Sequence, residues 1–429
     1  MKRSEKTDRP PTVKLPVTGV LKNPGIHLLK NGIPLYLFPS VSTEIVRLDL
    51  TFNAGTVNES LPLQARFTNV LLPGGTASMS AEEIDEAFDF HGSFPNFSVE
   101  RDKAVVQLFM LPADFSKTAR LLNHVISEPL FPEQEMKMHQ ETRLQSFMIN
   151  RQKVSFISLE SMLELLFGSG HPYGRRIQPE YFDQITRDHL ISFHNRFYTN
   201  GLKSVALAGR ISDAEITVIE ELFGERPASH AGNSFPLLPE TDYRGRKIFI
   251  GKNDALQSSL RIAGKTVKMD HPDFQGLKVV NTILGGWFGS RLMKNLREDK
   301  GFTYGIGSSL HSYALGGLSL ISTETGVQHT RAALREIYRE MNTLNSKLVS
   351  MSELRLVRNS MLGDLVRQFD GPFSLCDSFM TALEAGLDMD FYNNLQEKIR
   401  SITPGEIKQL AETYYNKDNF CEVVAGRME

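Results

Sequence analysis

The stretch ITRDHLISFHNRFYTNGLKSVALAGR, residues 185–210, returns 217 positions later as ITPGEIKQLAETYYNKDNFCEVVAGR, residues 402–427. The two align without a gap. Ile185-Thr186 falls on Ile402-Thr403, Tyr198 on Tyr415, and Ala208-Gly209-Arg210 on Ala425-Gly426-Arg427. Each copy reads as a Thr-capped amphipathic helix, a polar turn and a short strand ending in Ala-Gly-Arg. Identities in that order and spacing indicate repeated units, so the chain reads as a duplication.

Other segments divide the same way. Strand-like Glu44–Phe52 has a counterpart in Gln257–Gly264. Between the halves, Gly224 to Gly245 contains Pro227, Pro236 and Pro239 with Ser229, Gly232 and Asn233, and sustains no period of two or 3.6. That is linker chemistry. The expected organisation is a flexible polar tail (1–18), a first domain (19–223), a linker (224–245) and a second domain (246–429). The expected fold class is α+β: two homologous α/β sandwich domains, each a mostly antiparallel sheet with helices on one side, facing one another across a cleft.

Composition narrows the function. An apolar fraction of 41% and a charged fraction of 23% are those of an ordinary globular protein. A formal net charge of -2 gives no global field toward nucleic acid or an anionic membrane, so neither is an expected partner. No apolar run approaches the roughly 20 residues of a membrane helix. Two cysteines, Cys376 and Cys421, cannot build a disulfide framework, which favours a reducing compartment. Met1 to Pro11 carries basic residues with no apolar core behind them, unlike a secretory signal. The expected location is cytoplasmic.

The segment Gln64–Thr76 has the apolar pattern of a buried helix running into the glycine turn Pro73-Gly74-Gly75. An inverted zinc motif, H-x-x-E-H, occupies such a helix, with two histidines as ligands and the acid polarising water. Here those positions hold Arg66, Asn69 and Val70. Arginine repels a dication, valine has no lone pair, and asparagine is not a general base. No metal or other cofactor is expected.

In the second half, Gly285 to Gly301 reads as a glycine-rich turn and a short helix, with Ser290 as N-cap and Gly301 as the left-handed residue ending it. Phe302–Ser309 then reads as a strand. Arg297 therefore falls in the last helical turn and Tyr304 on the strand. A guanidinium and a phenol so placed can grip a peptide carbonyl or carboxylate; equally, they can be an arginine offsetting a helix terminus beside a satisfied tyrosine.

Among the histidines, His189 and His194 are five apart and off a common helical face, and His91, His124 and His139 lack partners at ligand spacing. The acidic residues after Ser80 read as a capped first helical turn. Met136, Met138, Met148 and Met162 are expected in packing. Trp287 either packs under the helix or lines the cleft.

These residues resemble the insulinase/pitrilysin superfamily, which includes the mitochondrial processing peptidases. The likeness rests on Leu284-Gly285-Gly286, Ser290-Arg291-Leu292 and Leu296 to Tyr304. It rests also on Ala54-Gly55-Thr56, His171-Pro172-Tyr173-Gly174 and the run from Gly92 through Asn96 to Asp102. The resemblance implies paired sandwich domains closing like a clam shell around an extended peptide. It places metal-helix positions on Arg66, Asn69 and Val70 and a downstream glutamate ligand near Ser146, so every expected ligand is missing. Arg297 and Tyr304 match the family's substrate-gripping pair. His171 is then structural. Asn96, Phe97 and Ser98 fall on the candidate edge strand to which a peptide would add; Phe97 would narrow that groove or be ordinary core.

What this implies is a non-catalytic, substrate-binding subunit of a two-chain zinc metallopeptidase, not an enzyme on its own. Its expected partner is a zinc-bearing homologous subunit, or a second copy in a homodimer, with a peptide or unfolded polypeptide as substrate. The rivals are a structural scaffold and a stand-alone peptide-binding homologue. Burial and internal satisfaction of Arg297 and Tyr304 would favour the scaffold.

Overall fold

A computed structural model describes residues 19–227 and 240–428. The expected tail, 1–18, lies outside the described residues, as do positions 228–239 of the expected linker.

The first half builds strands β1 (Gly25–Leu28), β2 (Pro34–Pro39), β3 (Val46–Phe52), β4 (Phe94–Val99), β5 (Ala104–Met110) and β6 (Leu202–Gly209). They form one six-stranded sheet in the order β1-β2-β6-β3-β5-β4, antiparallel except where β2 runs beside β6. Its helices are α1 (Gln64–Val70), α2 (Ala81–Phe90), α3 (Phe115–Ser127), α4 (Glu133–Asn150), α5 (Val154–Phe167), α6 (Glu180–Gln184), α7 (Arg187–His194) and α8 (Asp213–Phe223).

The second half repeats the plan. Strands β7 (Lys247–Gly251), β8 (Gln257–Thr266), β9 (Ile306–Tyr313), β10 (Gly316–Gly326) and β11 (Cys421–Gly426) order as β7-β11-β8-β10-β9, with β7 parallel to β11. Helices α9 (Phe274–Asn281), α10 (Thr330–Ser346), α11 (Met351–Gln368), α12 (Pro372–Glu384), α13 (Asp390–Ser401) and α14 (Pro404–Tyr414) accompany them. The two α/β domains expected from the sequence are present, and the repeated stretch becomes α7–β6 in one and α14–β11 in the other. Thr403 caps α14 through the Glu406 amide at 3.2 Å, and in α7 the Thr186 amide donates to the His189 ring at 3.2 Å. Ser80 likewise caps α2, in a reciprocal box with Glu83.

The halves are interlocked. Helix α5 belongs to the first half in sequence but packs on β8 and β11 of the second sheet. There Met162, Leu165, Leu166 and Phe167 share a core with Ala263, Leu318, Leu320 and Val423. Helix α12 returns the exchange by lying on β2 and β6 of the first sheet. Its Phe379 ring sits 4.8 Å from Tyr36 and 5.7 Å from Phe38. Each buried ring or leucine contributes roughly 1.5–3 kcal/mol, so the exchange joins the halves far more firmly than a linker would.

This exchange explains β3. Its sequence alternates Val46, Leu48, Leu50 and Phe52 with Arg47, Asp49 and Thr51, the pattern of a strand with one wet face. All seven residues are nonetheless buried. α12 covers the polar face, and the Arg47 guanidinium bonds Asp49 at 2.9 Å and Asp377 of α12 at 2.6 Å. A second seam lies at Tyr173, whose hydroxyl bonds Asp102 while the Asp102 carboxylate accepts the Ala314 amide at 2.9 Å. Arg101 lies over the rings of Tyr173 and Tyr313. The HPYG element is thus a bracket between halves, and the His171 ring accepts the Tyr173 amide at 3.0 Å. Gly55 in the Ala-Gly-Thr turn touches the same place: a Cβ there would lie 2.3 Å from the Asp102 carbonyl carbon.

Both cysteines are buried free thiols, and burial pushes Cys421 up to about 12. Among the described residues no helix is long and apolar enough to cross a membrane.

Candidate functional site

Helix α1 lies against β4, the outermost strand of its sheet. Its first turn is held from outside: the Glu59 carboxylate accepts the Ala65 amide at 3.0 Å, and the Gln64 side chain donates to the His189 carbonyl at 2.7 Å. Burial raises the Glu59 carboxyl to about 7 against the pull of that amide and of Arg66 and Arg175.

The positions at which the resemblance puts ligands turn in different directions. Arg66 is exposed, Val70 packs on the first-half core, and Ser146 is exposed on α4. Asn69 is buried at 2% exposure, and its amide donates to the Tyr198 hydroxyl at 2.9 Å. The second half has the same pair, with the Tyr415 hydroxyl donating to Asn281 at 3.0 Å. The tyrosine shared by both repeat copies therefore holds a helix asparagine in each. Tyr198→Phe is expected to cost about 1–3 kcal/mol by orphaning the buried Asn69 amide. Urea denaturation measures it, and an unchanged midpoint would show that the bond contributes nothing.

The His139 imidazole beside α1 is equally unsuited to a dication. His139 meets the Phe67 ring edge-on at 5.0 Å, and the Arg143 guanidinium approaches its Nε2 at 3.4 Å. Burial, and secondarily Arg143, lowers its pKa to about 4. A depressed histidine stabilises the fold fully above the ordinary value near 6.5, and that contribution is lost as pH falls from there through about 4. The His139 ring resonance should accordingly titrate near pH 4 by NMR; a midpoint near 6.5 would mean a solvated ring. Among the described residues no three His, Cys, Asp or Glu side chains are grouped to hold a metal ion. The side chains around α1 do not fit zinc.

β4 pairs with β5 only, leaving its other edge unpaired among the described strands. Asn96 and Ser98 turn back onto β5, bonding the Gln107 side chain at 3.2 Å and the Val105 carbonyl at 3.2 Å. Phe97 packs against the core, whereas Phe94 is 69% exposed. The sequence reading missed Phe94. On α4, Met138 and Met148 are exposed rather than packed as expected; Met136, and Met162 of α5, are buried.

Arg297 and Tyr304 occupy a different place. Both line a cleft of about 1070 Å³ whose opposite wall is the α4–α5 turn, Gln152 to Ser155. The backbone carrying Arg297 is not an ordinary helix end but a π-helical segment, Met293–Asp299, closed by the Lys300 amide on the Asn295 carbonyl at 3.1 Å. It is clamped by neighbours: Arg291 forks onto Glu353 at 2.7 and 2.8 Å, and Asn295 donates to Glu340 at 2.6 Å. Ser290 bonds the Met293 amide at 3.4 Å, and Gly301 has φ +63°, as expected for cap and stop. Tyr304 departs from expectation: it lies in the bend before β9, which starts at Ile306. Thr303 fixes that bend through Gly305 and the Glu324 carbonyl.

The chemistry of the pair is that of an open site. Half-buried Arg297 lies 4.7 Å over the exposed Phe288 ring, and makes no hydrogen bond or ion pair among the described residues. Tyr304 is 92% exposed, its hydroxyl likewise without a partner among them. Trp287 is the residue that packs under this turn, against the second-half core. A guanidinium shielded on one face by an aromatic ring and free on its edge is suited to a carbonyl or carboxylate.

Residues 184–361 match the Peptidase M16 inactive domain. A Bacillus subtilis protein titled "Uncharacterized zinc protease YmxG" is 24% identical over 344 residues, 79% of this chain and 83% of its own. The beta subunit of the human mitochondrial-processing peptidase is 23% identical over 403 residues, 88% of this chain and 79% of its own. A crystal structure of a peptidase M16 inactive domain from Pseudomonas fluorescens superposes with a TM-score of 0.86 at 22% identity, covering 95% of this chain and 99% of that one. The kinship with the insulinase/pitrilysin superfamily expected from the sequence is borne out.

Proposed function

We propose that this chain, which carries a Peptidase M16 inactive-type domain over residues 184–361, is the non-catalytic, substrate-holding member of a two-chain zinc peptidase. Its part is to grip an extended polypeptide at Arg297 and Tyr304 and along β4, while a homologous partner with an intact metal helix cleaves. The observation that carries this reading is an Arg297 without hydrogen-bond or ion-pair partner among the described residues and an exposed Tyr304 in one cleft, on a chain whose α1 carries Arg66, Asn69 and Val70. A scaffold would be expected to bury and satisfy that pair. The relative named as one subunit of a processing peptidase supports a shared task. Two buried free thiols fit a reducing, cytoplasmic setting.

The test is co-purification from the native cell, followed by peptide hydrolysis with each chain alone and with both together. Recovery of a zinc-bearing homologue, and cleavage only by the pair, is the expected result. Chelator-sensitive hydrolysis by this chain alone would overturn the reading, as would isolation with no such homologue.

A further inference from the structure

A second cavity, of about 510 Å³, lies at the seam between the halves and shares no lining residue with the Arg297 cleft. Its wall combines Asp102 of the first half with residues of α9, β9, α12 and the neighbouring turns. We propose that this cavity binds a small monocarboxylate, with the Lys278 ammonium as its anchor.

The argument is a charge inventory. Asp377 is paired with Arg47 at 2.6 Å. Glu384 is paired with Lys203 at 3.1 Å and Lys103 at 3.8 Å. Asp102 is held by the Tyr173 hydroxyl and the Ala314 amide. Lys268 reaches Asp270 at 3.9 Å. Lys278 alone among these charged wall residues has no hydrogen-bond or ion-pair partner for its side chain among the described residues. It sits one helical turn after Phe274 on α9, so both line the same cavity. Burial holds its ammonium below the ordinary lysine range.

The wall also selects the anion. Four carboxylates line the space, so a dianion such as phosphate meets about twice the repulsion that a single negative charge meets. Phe274, Leu310 and Tyr392 supply a surface for an apolar body. The fitting ligand is therefore a compact carboxylate with an apolar or aromatic end.

Calorimetric titration of the full chain with benzoate, benzamide and inorganic phosphate tests this. Benzoate should bind one to one, with benzamide and phosphate each at least about tenfold weaker. Lys278→Met should weaken benzoate roughly tenfold to a hundredfold while raising the ligand-free Tm, because it removes a half-buried charge with no partner among the described residues. Should that variant fold poorly, Lys278→Gln carries the same comparison. Equal binding of benzamide, tighter binding of phosphate, absence of benzoate binding, or unchanged affinity in the lysine variant would each overturn the proposal. None of these outcomes bears on the peptide cleft.

Discussion

Replacing Arg47 with alanine should destabilise the protein by about 3–5 kcal/mol, the usual consequence of stripping one partner from a buried ion pair. Arg47 is 3% exposed and Asp49 4%, and both are enclosed between β3 and α12. The variant leaves the enclosed Asp49 carboxylate with the Cys376 thiol, at 3.7 Å, and the Gln107 side chain beside it, and no cation. Burial already lifts the Asp49 carboxyl to about 6, despite Arg47. A carboxyl raised in the folded state favours folding below its unfolded value near 4, and that contribution is lost as pH rises through about 6. The deficit of Arg47→Ala should therefore be largest near pH 8 and shrink toward pH 5 as Asp49 takes up a proton. The double variant Arg47→Met, Asp49→Leu should recover much of the loss, since no buried charge remains unpaired and the exposed Asp377 is solvated. Denaturant melts across pH decide it; a loss under about 1 kcal/mol would mean that water reaches the pair.

The second large effect concerns activity of the assembled peptidase. Arg297→Ala should lower kcat/KM by roughly tenfold to a hundredfold, the worth of a charge-assisted hydrogen bond to bound peptide. Lysine should rescue little, because it keeps the charge without the planar fork that lies over Phe288. Tyr304→Phe should lose less, about threefold to tenfold, as a neutral bond does. The same substitutions should leave the melting temperature nearly unchanged, since neither side chain holds a hydrogen-bond or ion-pair partner among the described residues and the Phe288 ring under Arg297 is itself exposed. Full activity of the Arg297→Ala complex would remove the basis of the functional reading.

Much of this molecule was legible in its sequence because local rules governed it. The repeat, the caps at Ser80 and Thr403 and the left-handed Gly301 each follow from short-range chemistry. What escaped is non-local. An apolar stripe on Val154–Phe167 says that a helix is covered, not which sheet covers it. Arg47 and Asp49 alternate as a wet face would, and only α12, more than 300 residues away, makes that face dry. The π-helical turn beneath Arg297 has no sequence signature, so Tyr304 was placed on a strand that begins two residues later. The Asn69–Tyr198 bond was hidden because a lost catalytic residue and a gained structural one look alike in sequence.

The reciprocal loan of α5 and α12 also sets the order of biogenesis. On the ribosome α5 emerges some eighty residues before the first strand of the sheet that shelters it, and the first sheet waits for residues 372–384 before its inner face is roofed. Until then the growing polypeptide carries an uncovered greasy helix and a sheet with an ionised, unshielded face. Neither lobe can mature ahead of the other, so commitment comes late and all at once. Such a nascent chain is a natural client for chaperones, and a prematurely terminated product is one for proteases.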